Sequence, residues 1–120
     1  MSSINEVLAQ LVGEVDGAMV ALLGDSDSGM LLASAGTGLD VEVAAAGTTE
    51  FMRAKLNTMR ALKLDGELED ILVTLSNQYH VIRPLASNNS VFIYLALDRA
   101  KSNLAMARLA VKSAESKISL

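Results

Sequence analysis

A chain of 120 residues with a net charge of −4 makes one domain, long enough to bury roughly two-thirds of the surface its unfolded form exposes. It is 51 % apolar yet has only two phenylalanines and two tyrosines, so its core is built from small side chains that let elements approach closely. The absence of cysteine excludes disulfides and thiolate chemistry, and no run approaches the roughly 20 apolar residues that cross a bilayer, so a cytoplasmic protein with no membrane insertion is expected.

The start, Met1-Ser2-Ser3-Ile4-Asn5-Glu6, has no basic segment ahead of an apolar stretch, which argues against a secretory signal. Ser3 and Glu6 have capping-box spacing, and Ile4, Val7, Leu8, Leu11, Val12 and Val15 share one helical face that Gly17 ends. Residues 18–23 form a short apolar run bounded by glycines and read as a buried strand. Asp25-Ser26-Asp27-Ser28-Gly29 is a turn, and residues 30–35 return as the second strand.

Residues 41–64 read as one long helix with an unusual surface. Spacing at 100° puts Glu42, Glu50, Arg53, Asn57 and Arg60 on one narrow polar face. Val41, Ala45, Met52, Leu56 and Met59 form an apolar stripe, and Gly47, Phe51, Ala54, Thr58 and Ala61 form a second stripe beside it. So wide an apolar arc exceeds what packing on one sheet requires. Gly47 in mid-helix costs about 1 kcal/mol relative to alanine, so it should have a packing reason. Two contact surfaces are therefore expected on this helix, the second one closing a dimer seam at Gly47, Phe51, Ala54 and Thr58.

Asp65-Gly66 is expected to stop the helix. Strands follow at residues 71–75 and 79–85, joined by Asn77-Gln78, with Pro84 expected at a strand end because it cannot donate to a ladder. After the turn Ser87-Asn88-Asn89 comes the all-apolar strand Val91-Phe92-Ile93-Tyr94-Leu95-Ala96-Leu97. Asn103 then caps a last helix in which Leu104, Ala107, Val111, Ala114 and Ile118 face inward. The sequence predicts an α+β fold in the order α-β-β-α-β-β-β-α, a five-stranded antiparallel sheet flanked by helices, as a single domain over residues 1–120.

Charge is unevenly spread. The first 52 residues hold eight acids and no lysine or arginine; the rest holds ten bases against six acids. Such an imbalance steers a charged partner or orients two copies, unless the halves interleave in the fold and neutralise one another.

Chemistry finds little foothold. Asp25, Asp27 and Gly29 resemble the start of a calcium loop, but Met30 stands where that loop needs glycine and Gly36 where it needs a carboxylate, so no metal is expected. The lone His80 leaves too few ligands for zinc, and alternation along its strand makes it a surface residue. Gly36 and Gly38 are not followed by the lysine of a phosphate loop. An acidic chain whose bases lack interleaved aromatics does not suit nucleic acid. No cofactor and no catalysis are expected.

The opening of the last helix, Asn103-Leu104-Ala105-Met106-Ala107-Arg108-Leu109, resembles the terminal helix of the roadblock/dynein light chain family. Gly66-Glu67-Leu68-Glu69 before the third strand, Arg83-Pro84-Leu85 closing the fourth and the element order extend that resemblance over essentially the whole chain. It implies a roadblock/profilin-like sandwich and a homodimer formed by pairing third strands, which adds Ile71 and Val73 to the seam, together with the long middle helices. It also implies a non-catalytic module that regulates or scaffolds a Ras-like small GTPase, as bacterial relatives often do. Glu50, Arg53, Asn57 and Arg60, on one arc of the paired helices, are the expected partner contacts. A small-ligand sensor or a purely structural subunit are the alternatives; the first needs convergent polar groups that the buried stripes do not offer.

Overall fold

Helices begin where a short polar side chain can take up free backbone amides. In the computed structural model, which describes residues 3–120, helix α1 (Ile4–Glu14) is capped by Ser3, whose Oγ accepts from the Glu6 amide at 3.2 Å. Met1 and Ser2, part of the start read above, lie outside the described residues. Helix α2 (Val41–Ala61) is capped by Asp40, whose carboxylate accepts from the Glu42 and Val43 amides at 3.2 Å each. Helix α3 (Leu104–Glu115) starts at the expected cap, with Asn103 Oδ1 accepting from the Met106 amide at 3.1 Å.

The end of α2 differs from expectation. The helix stops at Ala61, not at Leu64 before Asp65-Gly66. The Leu64 amide donates to the Met59 carbonyl at 3.1 Å and the Lys63 amide to that of Arg60 at 3.0 Å. These are the two bonds of a Schellman cap, with Lys63 in the left-handed position at φ 54° that glycine ordinarily fills. Replacing Lys63 by glycine relieves that conformation, and urea unfolding should show a gain of about 0.5–1 kcal/mol.

Five strands make one antiparallel sheet: β1 (Ala18–Asp25), β2 (Met30–Gly36), β3 (Ile71–Thr74), β4 (Gln78–Pro84) and β5 (Val91–Asp98). Their order is β2-β1-β5-β4-β3. The all-apolar β5 is central because residues 91–97 are buried on both faces. Pro84 is the last residue of β4, as its missing donor requires. Helices α1 and α3 cover one face, where Leu8, Leu11, Ala107 and Val111 pack with Leu23, Leu95 and Leu97. Helix α2 lies on the other, with Ala45 and Met52 against Leu22, Phe92 and Tyr94.

This strand order keeps the acidic and basic parts of the chain apart, so the halves do not interleave. They meet along the β1–β5 pairing. Among the described residues both ion pairs lie within the basic part, Arg83 with Glu115 at 2.6 Å and Arg108 with Asp70 at 2.9 Å. Burial opposes the charge on Glu115, but hydrogen bonds from Arg83 and from the Ala86 amide outweigh it and hold the carboxyl below its ordinary range.

Candidate functional site

The three faces of α2 meet different surroundings. Ala45 and Met52 of the first stripe are buried and Val41, Leu56 and Met59 half-buried, so this stripe attaches the helix to the sheet. The buried Thr49 satisfies its hydroxyl by donating to the Ala45 carbonyl at 2.9 Å. The second stripe is bare. Phe51 is 57 % exposed, Ala54, Thr58 and Ala61 are exposed, and among the described residues, the helix's own adjoining backbone and the two neighbours in the chain aside, no atom lies within 4 Å of where a Cβ on Gly47 would stand. Val43, one turn before Gly47 and 67 % exposed, extends this stripe. Its helical spacing was visible in the sequence, but the expectation above left it out.

The second stripe and the third strand open into one place. Phe51, Ala54 and Thr58 line a shallow hollow of about 430 Å³ together with Ile71 at the start of β3. Lys55 of α2, together with Leu68 and Asp70 from the segment between α2 and β3, completes it; pattern alone did not single these three out for the seam. Gly47 lies farther up the helix. Val73 points to the α2 side of the sheet and is half-buried against the second core cluster, as is Ile71. Strand β3 is a sheet edge, hydrogen-bonded within the chain only to β4, and its alternate residues Leu72 and Thr74 are exposed on the opposite face. The other edge, β2, is interrupted by a bulge opposite Leu23 and Gly24, a device that discourages strand addition. The two edges are therefore unequal, and β3 is the regular one.

Glu50, Arg53, Asn57 and Arg60 are all exposed on the polar face of α2. Arg53, however, is engaged. Its Nε donates to the Ser26 carbonyl at 2.9 Å, and its Nη2 donates to the Asp27 carbonyl. Arg53 thus ties the β1–β2 turn to the helix. That turn is also fixed from within, because Asp25 accepts from the Asp27 amide and the Ser28 hydroxyl, the role of a turn residue. Arg60 donates to the side chain of Asn57 on the preceding turn of the helix.

His80 is not the surface residue that alternation predicted. It stands opposite Val73 and Ala96 on the α2 side of the sheet, half-buried, with Nδ1 at 3.1 Å from the Tyr94 hydroxyl and Nε2 at 2.8 Å from Gln78 Oε1. Burial lowers its pKa from the ordinary 6.5 and raises that of Tyr94 to about 12. The neutral tautomer protonated on Nε2 satisfies both contacts. The pair is a hydrogen-bonded filler of the sheet face. Among the described residues no three metal-ligating side chains converge, and no helix is long and apolar enough to cross a membrane.

Neither a family model nor a curated protein matches the sequence. Solved structures do match in shape. MglB of Myxococcus xanthus is 22 % identical, with a TM-score of 0.82 over 95 % of this chain and 89 % of its own. A Roadblock/LC7 domain from Streptomyces avermitilis is 14 % identical, with a TM-score of 0.83 over 97 % of this chain and 94 % of its own. The gliding protein MglB of Thermus thermophilus is 17 % identical, with a TM-score of 0.75 over 96 % and 87 %. At these identities the likeness is one of fold, and along nearly its whole length this chain has the roadblock fold.

Proposed function

We propose that this chain is a non-catalytic, homodimeric protein-binding module that regulates or positions a Ras-like small GTPase. The observation that carries the reading is the hollow where Phe51, Ala54 and Thr58 of α2 meet Ile71 at the open edge strand β3. An apolar helix stripe and an unpaired strand edge side by side are what a second copy can cover in one step, extending the sheet through β3 and pairing the α2 helices. The roadblock fold supports the choice of partner, since the resemblance drawn from the sequence implies work beside a Ras-like GTPase.

Pairing the helices sets two copies of the Glu50–Asn57–Arg60 face side by side as a mixed-charge platform, broad enough for a protein and too open for a small molecule. Arg53 serves that platform as a strut that holds the β1–β2 turn against it. A platform that fits one conformation of a switch segment better than another shifts the GTPase between its nucleotide states by that difference in affinity.

The test is calorimetric titration of the purified protein with the Ras-like GTPase encoded nearest to it, loaded with GDP or with a non-hydrolysable GTP analogue. We expect a preference of roughly tenfold or more for one nucleotide state. Combining Glu50→Lys with Arg60→Glu should weaken binding by a similar factor while leaving the protein's mass in solution unchanged. Equal affinity for both states removes the regulatory reading, and full binding by the double variant moves the platform elsewhere.

A further inference from the structure

Two Asp-Gly pairs occur in the chain, Asp16-Gly17 after α1 and Asp65-Gly66 after α2. In such a pair the backbone nitrogen of the glycine attacks the aspartyl side chain more readily than any other residue's would, because glycine has no Cβ to stand in the way. The attack needs freedom. The carboxyl must swing over its own backbone, and the backbone around it must be free to follow. The fold allows this at one pair and prevents it at the other.

Gly17 is enclosed. A Cβ there would stand 2.9 Å from both the Asp98 carbonyl oxygen and Ser102 Cβ. Its carbonyl accepts from the Asp98 amide at 2.8 Å, and the next amide, that of Ala18, donates to the Val15 carbonyl at 3.1 Å. The backbone on both sides of Asp16-Gly17 is thereby pinned between the end of α1 and the end of β5. Gly66 is open. Its own chain neighbours aside, no atom lies within 4 Å of where a Cβ would stand. Asp65 and Gly66 are both exposed, and Asp65 belongs to neither ion pair. Among the described residues the backbone from 65 to 70 makes no hydrogen bond to other backbone groups. This segment is fastened only at its ends, by the Leu64 amide on the Met59 carbonyl and by Asp70 on Arg108 at 2.9 Å.

We propose that Asp65-Gly66 is a site of spontaneous modification in the folded protein, where aspartate isomerises to isoaspartate, and that Asp16-Gly17 is protected from it. The Gly66 nitrogen bonds to Cγ of Asp65. The hydroxyl of the protonated carboxyl and the amide proton leave as water, which closes a succinimide ring. Water then adds back to one of the two ring carbonyls. Addition at the main-chain carbonyl opens the ring so that the chain runs through Cβ and Cγ, and the former backbone carbonyl becomes the free carboxylate. No atom is gained or lost overall and the net charge is unchanged, but the main chain is one carbon longer. That slack enters the segment fastened at its two ends, and Leu68 in its middle lines the hollow beside Phe51 and Ile71. The reaction therefore loosens one wall of the hollow. The site stands whether or not a second copy covers that hollow.

Prolonged warm incubation of the full chain at neutral pH, in buffer and in parallel in concentrated urea, tests the proposal. Tryptic peptides are then separated and fragmented by electron transfer, which breaks the extra backbone bond of an isoaspartate and so identifies it residue by residue. Freshly prepared chain, digested alongside, gives the background. In urea Asp16 and Asp65 should convert at similar rates. In the folded chain Asp65 should keep most of that rate, and Asp16 should be slower by roughly tenfold or more, because its backbone must first open. Gly66→Asn puts a Cβ at the attacking residue while tolerating the left-handed conformation, φ 98°, that Gly66 adopts. It should slow Asp65 several-fold and leave Asp16 unchanged, with circular dichroism confirming the fold. Equal rates for the two aspartates in the folded chain, or no conversion of Asp65 until urea is added, overturn the proposal. So does an unchanged rate at Asp65 in Gly66→Asn.

Discussion

Replacing Phe92 by alanine is expected to lower the unfolding free energy by about 3–5 kcal/mol, a large share of the roughly 5–15 kcal/mol that holds a domain of this size folded. Phe92 is one of two aromatic residues buried on the sheet's α2 side and, unlike Tyr94, has no exposed surface. Its cross-strand neighbour on β1 is Gly24, and the ring lies flat where a side chain would be; a Cβ on Gly24 would stand 2.5 Å from the ring. The absence of a side chain at Gly24 and the size of the ring are therefore one feature. The same cluster holds Ala45 and Met52, which attach α2 to the sheet, so a cavity here loosens the helix that bears the candidate interface. Gly24→Ala should destabilise through the opposite error, overpacking, by about 1–3 kcal/mol. Urea unfolding monitored by circular dichroism measures both. A loss below about 1 kcal/mol for Phe92→Ala would mean that the cluster closes over the gap, and the support assigned to the ring would be wrong.

The order of elements could be read from the chain because each was marked by a local signal: Ser3 and Asn103 at caps, an uninterrupted apolar run for the central β5, and Pro84 at a strand end. The end of α2 could not, since the residue that turns the chain is Lys63 in a left-handed conformation and not Gly66 two residues beyond the cap bonds. The site was legible in part. The two stripes of α2 separate in space as their spacing predicts, one buried and one bare. Of the other residues that line the hollow, Leu68 and Asp70 come from an irregular segment with no periodicity to read. His80 was misplaced because Gln78, His80 and Ile82 mix polar and apolar residues on one face of β4, and its partner Tyr94 lies 14 residues away on β5. Arg53 shows the same limit. Its place on the polar face follows from helical spacing, but the Ser26 and Asp27 carbonyls that engage it become neighbours only when β1 and β2 pack beneath α2.

Replacing Ala54 by glutamate is expected to raise the dissociation constant of the dimer by roughly 100-fold or more, because a two-fold seam buries the new charge twice and close to its own copy. Ala54 is exposed in the single chain, so its stability should change by no more than about 0.5 kcal/mol. Gly47→Leu tests the same seam by bulk, since an open position in one chain accepts the larger side chain and only a closely approaching second helix rejects it. The strand component is tested separately by Thr74→Pro. Thr74 ends β3 opposite Tyr79, and proline there removes an amide donor from the edge that a second copy would extend. Light scattering across a dilution series measures association, and amide exchange in β3 reports whether its outer edge is covered. Slow exchange along β3 that becomes fast in Ala54→Glu would place the strand and the helix in one interface. A chain that stays monomeric at tens of micromolar, or β3 amides that exchange as fast as those of the turn at Asn88 and Asn89, would remove the seam, and with it the paired platform on which recognition of a GTPase depends.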